Sequence, residues 1–334
     1  ILEFVNEGAV VIGTRPEGSP SLADDPAEVI EILDAMWPGD AVATVGKGKV
    51  FNTHETANPL LEIGLEPDFM YQTPMDDSKV MFLHRKLNNG GGLYFVASQK
   101  DQEEKIEASF RISGFKAEFW DPATGDIRPA SYEFDGERTN VSIPLDRFGS
   151  LFVVFREKTN KSSVNIPEPA EEVIEQLEGP WQVAFQEERG APASATFDQL
   201  MDFRESSDPG IRYFSGISTY TKNVDLSQET IDEGDVVIDL GQVYNLAEVW
   251  VNGKLAGTTW KPPYRVDITD FVTAGSNEIE IKSVNTWVNR LIGDAQPGVS
   301  EDEKITLTTR QFYRADSELQ PSGLLGPVKL INEI

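Results

Sequence analysis

The chain has 334 residues with 39% hydrophobic content, enough apolar side chain for about two or three domains with their own cores and too much for general disorder. Its 56 acidic against 29 basic residues leave a formal charge of -27, which repels nucleic acid phosphates and anionic lipid headgroups and sets both aside as partners. Cysteine is absent, so thiols say nothing of the compartment, and no apolar run approaches the ~20 residues needed to enter and span a bilayer.

The chain opens without an initiator Met or a signal peptide, and residues 1–7 read as the last turns of a helix before a buried strand at 9–13. A single strand-helix unit cannot close its own core, so the expectation is a fragment whose upstream sequence carries the rest of an α/β layer. Asp24-Asp25-Pro26 supplies cap oxygens and a first-turn proline ahead of Val29, Ile30, Leu33, Met36 and Trp37 at helical spacing, which predicts a helix over 26–37 stopped by Pro38-Gly39. A short strand at 46–51 and a short helix at 59–65 follow, so residues 1–67 form the C-terminal part of a truncated α/β domain.

From residue 68 the pattern changes to strands, at 80–84, 93–98, 106–112, 117–120, 141–144 and 151–155. Turn signals at 88–92 (NNGGG) and 121–125 (DPATG) punctuate them, predicting a small β-sandwich over 68–157. Residues 158–178 lose periodicity and gather Lys, Ser, Asn, Pro and Glu, the composition of a solvated linker. Trp181–Phe185 resumes the strand pattern and opens a last domain over 179–334. There Val236, Ile238 and Leu240 alternate with polar residues, as do Val249 and Val251, and Ile279 and Ile281. Asn252-Gly253 predicts a two-residue hairpin joining 248–251 to 254–259. The fold class is therefore mainly β: two antiparallel β-sandwich domains, the last a jelly roll, preceded by the tail of an α/β domain.

Catalytic chemistry is thinly represented. His54 and His84 are the only histidines, and no Gly-x-Ser-x-Gly elbow supports a nucleophile triad. Gly46-Lys47-Gly48-Lys49 lacks the spacing of a phosphate loop. Asp24-Asp25, Asp76-Asp77 and Glu301-Asp302-Glu303 are acidic neighbours that abundance alone explains, and Asp232-Glu233-Gly234-Asp235 has no EF-hand spacing. The metal question stays open and no catalytic residue is assigned. What remains is a set suited to sugar, because a pyranose offers an apolar C–H face and a rigid array of hydroxyls. Trp260, Tyr264, Arg265, Asn285, Trp287, Asn289 and Arg290 are the candidate carbohydrate-binding residues. The alternative is structural: Trp250, Trp260 and Trp287 facing inward, with Arg265 and Arg290 tying loops. Under either reading, residues 260–265 and 287–290 are expected on one side of the last sandwich, with Arg290 anchored in packed surroundings.

Residues 236–294 resemble the sugar-binding β-sandwich attached to large glycoside hydrolases. GAVVIGTRPEGSPSL at 8–22, WDPATGDI at 120–127, FGSLFVVFR at 148–156, WKPPYRVD at 260–267, TWVNRLIGD at 286–294 and PSGLLGP at 321–327 occur in order. Together they resemble the C-terminal, non-barrel region of the α-L-rhamnosidase-like enzymes of glycoside hydrolase family 106. The resemblance implies a calcium-dependent, inverting parent that removes terminal α-L-rhamnose from complex glycans. Its catalytic carboxylates would lie on a (β/α)8 barrel upstream of residue 1, the first partner of this region, with a rhamnose-containing glycan as the second. It also implies a periplasmic or extracellular location. A free-standing carbohydrate-binding module without catalysis is the other functional reading, and an adhesion sandwich a third.

Overall fold

The computed structural model describes residues 1–72 and 75–334, which fall into two compact units, Ile1–Met70 and Tyr71–Ile334. In the first, the strand Val10–Ile12 pairs in parallel with Gly48–Phe51, which pairs antiparallel with Val42–Val45. The helix Pro26–Met36 starts where the sequence placed it, the Asp25 carboxylate accepting from the Ala27 N–H at 2.9 Å. Leu33 and Met36 on that helix and Trp37 at its C-terminal cap pack with Val5 of the helix Leu2–Glu7 and with Val50. The strand Val42–Val45 was not expected, because it buries a single side chain, Ala43. Its turn requires glycine: Gly46 has φ +58° and a Cβ there would stand 2.5 Å from the Asn6 backbone.

The second unit holds two β-sandwiches. In the first of these, one sheet runs Val80–Lys86, Gly92–Ser98, Ser150–Phe155, Glu118–Trp120, Ile127–Pro129. The facing sheet includes Ser163–Val164, Tyr132–Phe134, Thr139–Leu145 and Glu104–Phe110 in that order. Burial alternates along Gly92–Ser98 and Thr139–Leu145, so each strand lends every second side chain to a core in which Tyr94, Phe110 and Phe155 meet edge to face.

The second sandwich sets a six-stranded sheet, Ser194–Phe197, Trp181–Phe185, Ile217–Leu226, Gly275–Val284, Leu246–Val251, Lys254–Thr259, against a four-stranded one, Glu171–Gln176, Lys329–Glu333, Asp235–Asp239, Arg265–Asp267. Trp181, Phe203, Phe214, Tyr220, Ile238 and Leu240 fill the space between them at 1% exposure or less, each contributing roughly 1.5–3 kcal/mol by burial. The expected linker over 158–178 needs correction. Ser163–Val164 adds an edge to the first sandwich and Glu171–Gln176 an edge to the second, leaving only the residues between them to connect the two.

Candidate functional site

Strand register decides which loops share an end of the second sandwich. Phe185, Ser218, Ser283, Ala247 and Thr259 are successive cross-strand partners over the six-stranded sheet. The chain therefore leaves toward Trp260 and toward Asn285–Trp287 at the same end, as anticipated for the two segments. The Asn252-Gly253 turn, with φ of +52° and +76°, closes the opposite end of its hairpin.

At the shared end the candidate residues divide. Trp260 is 62% exposed and Trp287 55%, so the inward-facing reading of these two is corrected. Trp287 carries the Arg189 guanidinium over its ring at 5.2 Å. Trp250 is also outside the core: Lys282 lies 3.8 Å over its ring and its indole N–H donates to Glu248 at 3.0 Å. The tryptophan that does fill the core is Trp181.

The amides and guanidinium groups among the candidates are structural ties. Asn285 donates to the Phe214 carbonyl at 2.8 Å and accepts from the Gly216 N–H at 2.9 Å. Asn289 exchanges two 2.8 Å hydrogen bonds with the Gln320 backbone. Arg290 is buried and meets Asp294 at 3.0 Å, both on the helix Val288–Asp294. Arg265 donates to Glu171 at 2.7 Å and to Asp239 at 3.0 Å, binding the edge strand to the sheet. The Glu171 hydrogen bond, with Asp239 behind it, raises the Arg265 pKa further above its ordinary value despite partial burial. Tyr264 packs against the core, and burial raises its phenol.

Asp294 was not singled out from sequence, because one carboxylate among 56 acidic residues carries no signal. It is nonetheless buried, accepting from the Ile305 and Thr306 N–H groups and from the Thr306 hydroxyl. Between the sandwiches Lys261 approaches Asp146 at 3.8 Å. Burial raises the Asp146 carboxyl, with Lys261 pulling the other way. Among the described residues no three His, Asp or Glu side chains gather as a metal set. His84 stacks on Tyr94 at 4.1 Å, and His54 lies 3.3 Å from the Thr14 hydroxyl. Among the described residues no helix is long and apolar enough to cross a membrane.

Residues 1–134 match the family model for alpha-L-rhamnosidase, glycoside hydrolase family 106, and residues 205–303 match the family 2 sugar binding domain. The solved rhamnosidase from Novosphingobium sp. PP1Y is similar over 99% of this chain, at 41% identity and a TM-score of 0.87. The chain is thus similar to the α-L-rhamnosidases of family 106, and over residues 205–303 to the family 2 sugar-binding domain. A putative beta-glucuronidase of Formosa agariphila is 34% identical over 188 residues, half of this chain and 16% of its own length. The chain spans 32% of the Novosphingobium rhamnosidase. All seven candidate residues, from Trp260 to Arg290, fall inside the match to the sugar-binding domain.

Proposed function

We propose that this chain is the accessory region of a secreted glycoside hydrolase that removes α-L-rhamnose from complex glycans, acting beside a catalytic barrel outside these residues. The observation that carries the reading is the likeness to a rhamnosidase over 99% of the chain at 41% identity. Asn285, Asn289, Arg265 and Arg290 hold loops and an edge strand in place. Trp260, and Trp287 with Arg189 over its ring, present exposed aromatic side chains at one end, suited either to a sugar ring or to the barrel's flank. An inverting hydrolase needs an acid and a base roughly 6.5–9.5 Å apart across the glycosidic bond, and that pair is assigned to the barrel, as is calcium. A periplasmic or extracellular location accompanies the reading.

The exposure of Trp260 and Trp287 is also what a free-standing carbohydrate-binding module would show. Aryl α-L-rhamnoside hydrolysis separates the two: the chain alone should be inert, and a protein joining it to an upstream barrel should release L-rhamnose with inversion. Turnover by the chain alone, lost on replacing one of its own carboxylates, would show that the catalytic pair lies here. A joined protein inactive on α-L-rhamnosides would remove the rhamnosidase reading.

A further inference from the structure

Beyond the helix Val288–Asp294 the chain makes a long excursion whose backbone is pinned at intervals. Asp294 holds residues 305 and 306, the Gln296 amide donates to the Ala315 carbonyl at 3.0 Å, and Asn289 holds Gln320. Within the excursion Thr308 and Arg310 are tied by hydrogen bonds of their own. This braced segment and the helix line an open-sided cavity of about 290 Å³. Its lining is apolar at Leu291, Ala295 and Phe312 and polar at Thr309, Gln311 and Lys304. Phe312 remains 72% exposed, a large apolar face left in water beside a polar-lined hollow.

Size, polarity and charge together restrict the occupant. The volume lies at the lower edge of the ~300–1,000 Å³ range of ligand pockets, which suits one ring rather than an oligosaccharide. The charged groups of the lining already have partners, Lys304 in Glu301 at 2.5 Å and Asp294 in Arg290, which favours a neutral ligand over an ionic one. A neutral ring with one apolar face and a hydroxyl edge satisfies the phenyl group and the polar wall at once. We propose that this cavity is a second carbohydrate site, taking one 6-deoxyhexose ring against Phe312. The sugar's methyl group meets Leu291 and Ala295, and its hydroxyls meet Thr309, Gln311 and Lys304. The choice of a deoxy sugar rests on the rhamnoside reading above; the cavity and its neutrality do not.

The test uses the whole chain with L-rhamnose and L-mannose, which differ only in the hydroxyl at C6, and saturation-transfer NMR. Transfer to the rhamnose methyl is expected to exceed that to the corresponding mannose protons. Phe312→Ala should weaken rhamnose binding about five-fold, the equivalent of one aromatic contact, and Thr309→Val should weaken it too. Both positions are exposed, so melting temperatures should not move. No transfer to either sugar, equal transfer to both, or transfer unchanged in Phe312→Ala would overturn the proposal. Binding removed by Trp260→Ala or Trp287→Ala but not by Phe312→Ala would overturn this site while leaving the rhamnoside reading intact. Failure of the hydrolysis assay would instead strike that reading.

Discussion

Arg290 and Asp294 show how a residue of the right type for sugar can serve the fold instead. Both are nearly out of water and face each other one helical turn apart, and glycine at 293 leaves the guanidinium its space: a Cβ there would stand 2.5 Å from Arg290 Nη2. Removing one partner of such a pair leaves a buried charge without compensation, so Arg290→Ala should cost about 3 kcal/mol in urea unfolding. Affinity for sugar in the folded fraction should be unchanged; lost affinity with full stability would reverse the assignment. Residue types at this end of the sandwich were legible in the sequence, but their directions were not. An asparagine reads the same whether its amide meets a carbonyl, as Asn285 does at Phe214, or a hydroxyl of a ligand. Trp260 and Trp287 were equally ambiguous, since an indole suits a core or a surface, and only the fold distinguishes them from Trp181.

Among the elements, the hairpin at Asn252-Gly253 was readable because its turn demands left-handed φ at both positions, and asparagine-glycine meets that demand. The Asn252 side chain also accepts from the Glu278 N–H at 3.0 Å and donates to Asn277 at 2.9 Å and to the Phe271 carbonyl at 3.1 Å. Asn252→Ala should therefore lose about 2 kcal/mol, from αL strain and missing hydrogen bonds together. Chemical denaturation checks it, and a loss below about 0.5 kcal/mol would mean the turn adapts. The strand Glu171–Gln176 was unreadable for a physical reason. It is exposed at every position except Ile174 and owes its place to backbone pairing and to Arg265, so it leaves no hydrophobic period to detect. Glu171→Gln should loosen this edge selectively, raising amide exchange over 171–176 more than over Trp181–Phe185. Uniform exchange across both strands would show that the ion pair does not hold the edge.

Over the whole molecule, charge governs the response to conditions. Burial raises the Asp146 carboxyl against the pull of Lys261, and burial with the nearby Glu171 raises that of Glu333. The folded state thus holds these protons more tightly than the unfolded chain. Their contribution is complete below the ordinary carboxyl pKa of about 4 and is lost as pH rises through the folded values. The surface carboxylates Asp77, Asp101 and Glu168, lowered by Lys100, Arg147 and Lys105, act oppositely and fade as pH falls. The stabilising share of Asp146 and Glu333 should therefore grow as pH falls toward the ordinary carboxyl range, and Asp146→Asn with Glu333→Gln should remove that share from the melting-temperature profile; an unaltered profile would exclude these groups. Salt should act in the same direction, because screening weakens the self-repulsion of a net -27 chain. The placement of Lys329–Glu333 between Glu171–Gln176 and Asp235–Asp239 has its consequence during synthesis. The four-stranded sheet cannot assemble until residue 333 has cleared the ribosome, so a strand made more than a hundred residues earlier must wait with its backbone unpaired. Glu171, Glu172 and Glu175 place three negative charges on that waiting edge, the kind of guard that discourages neighbouring nascent chains from pairing with it first.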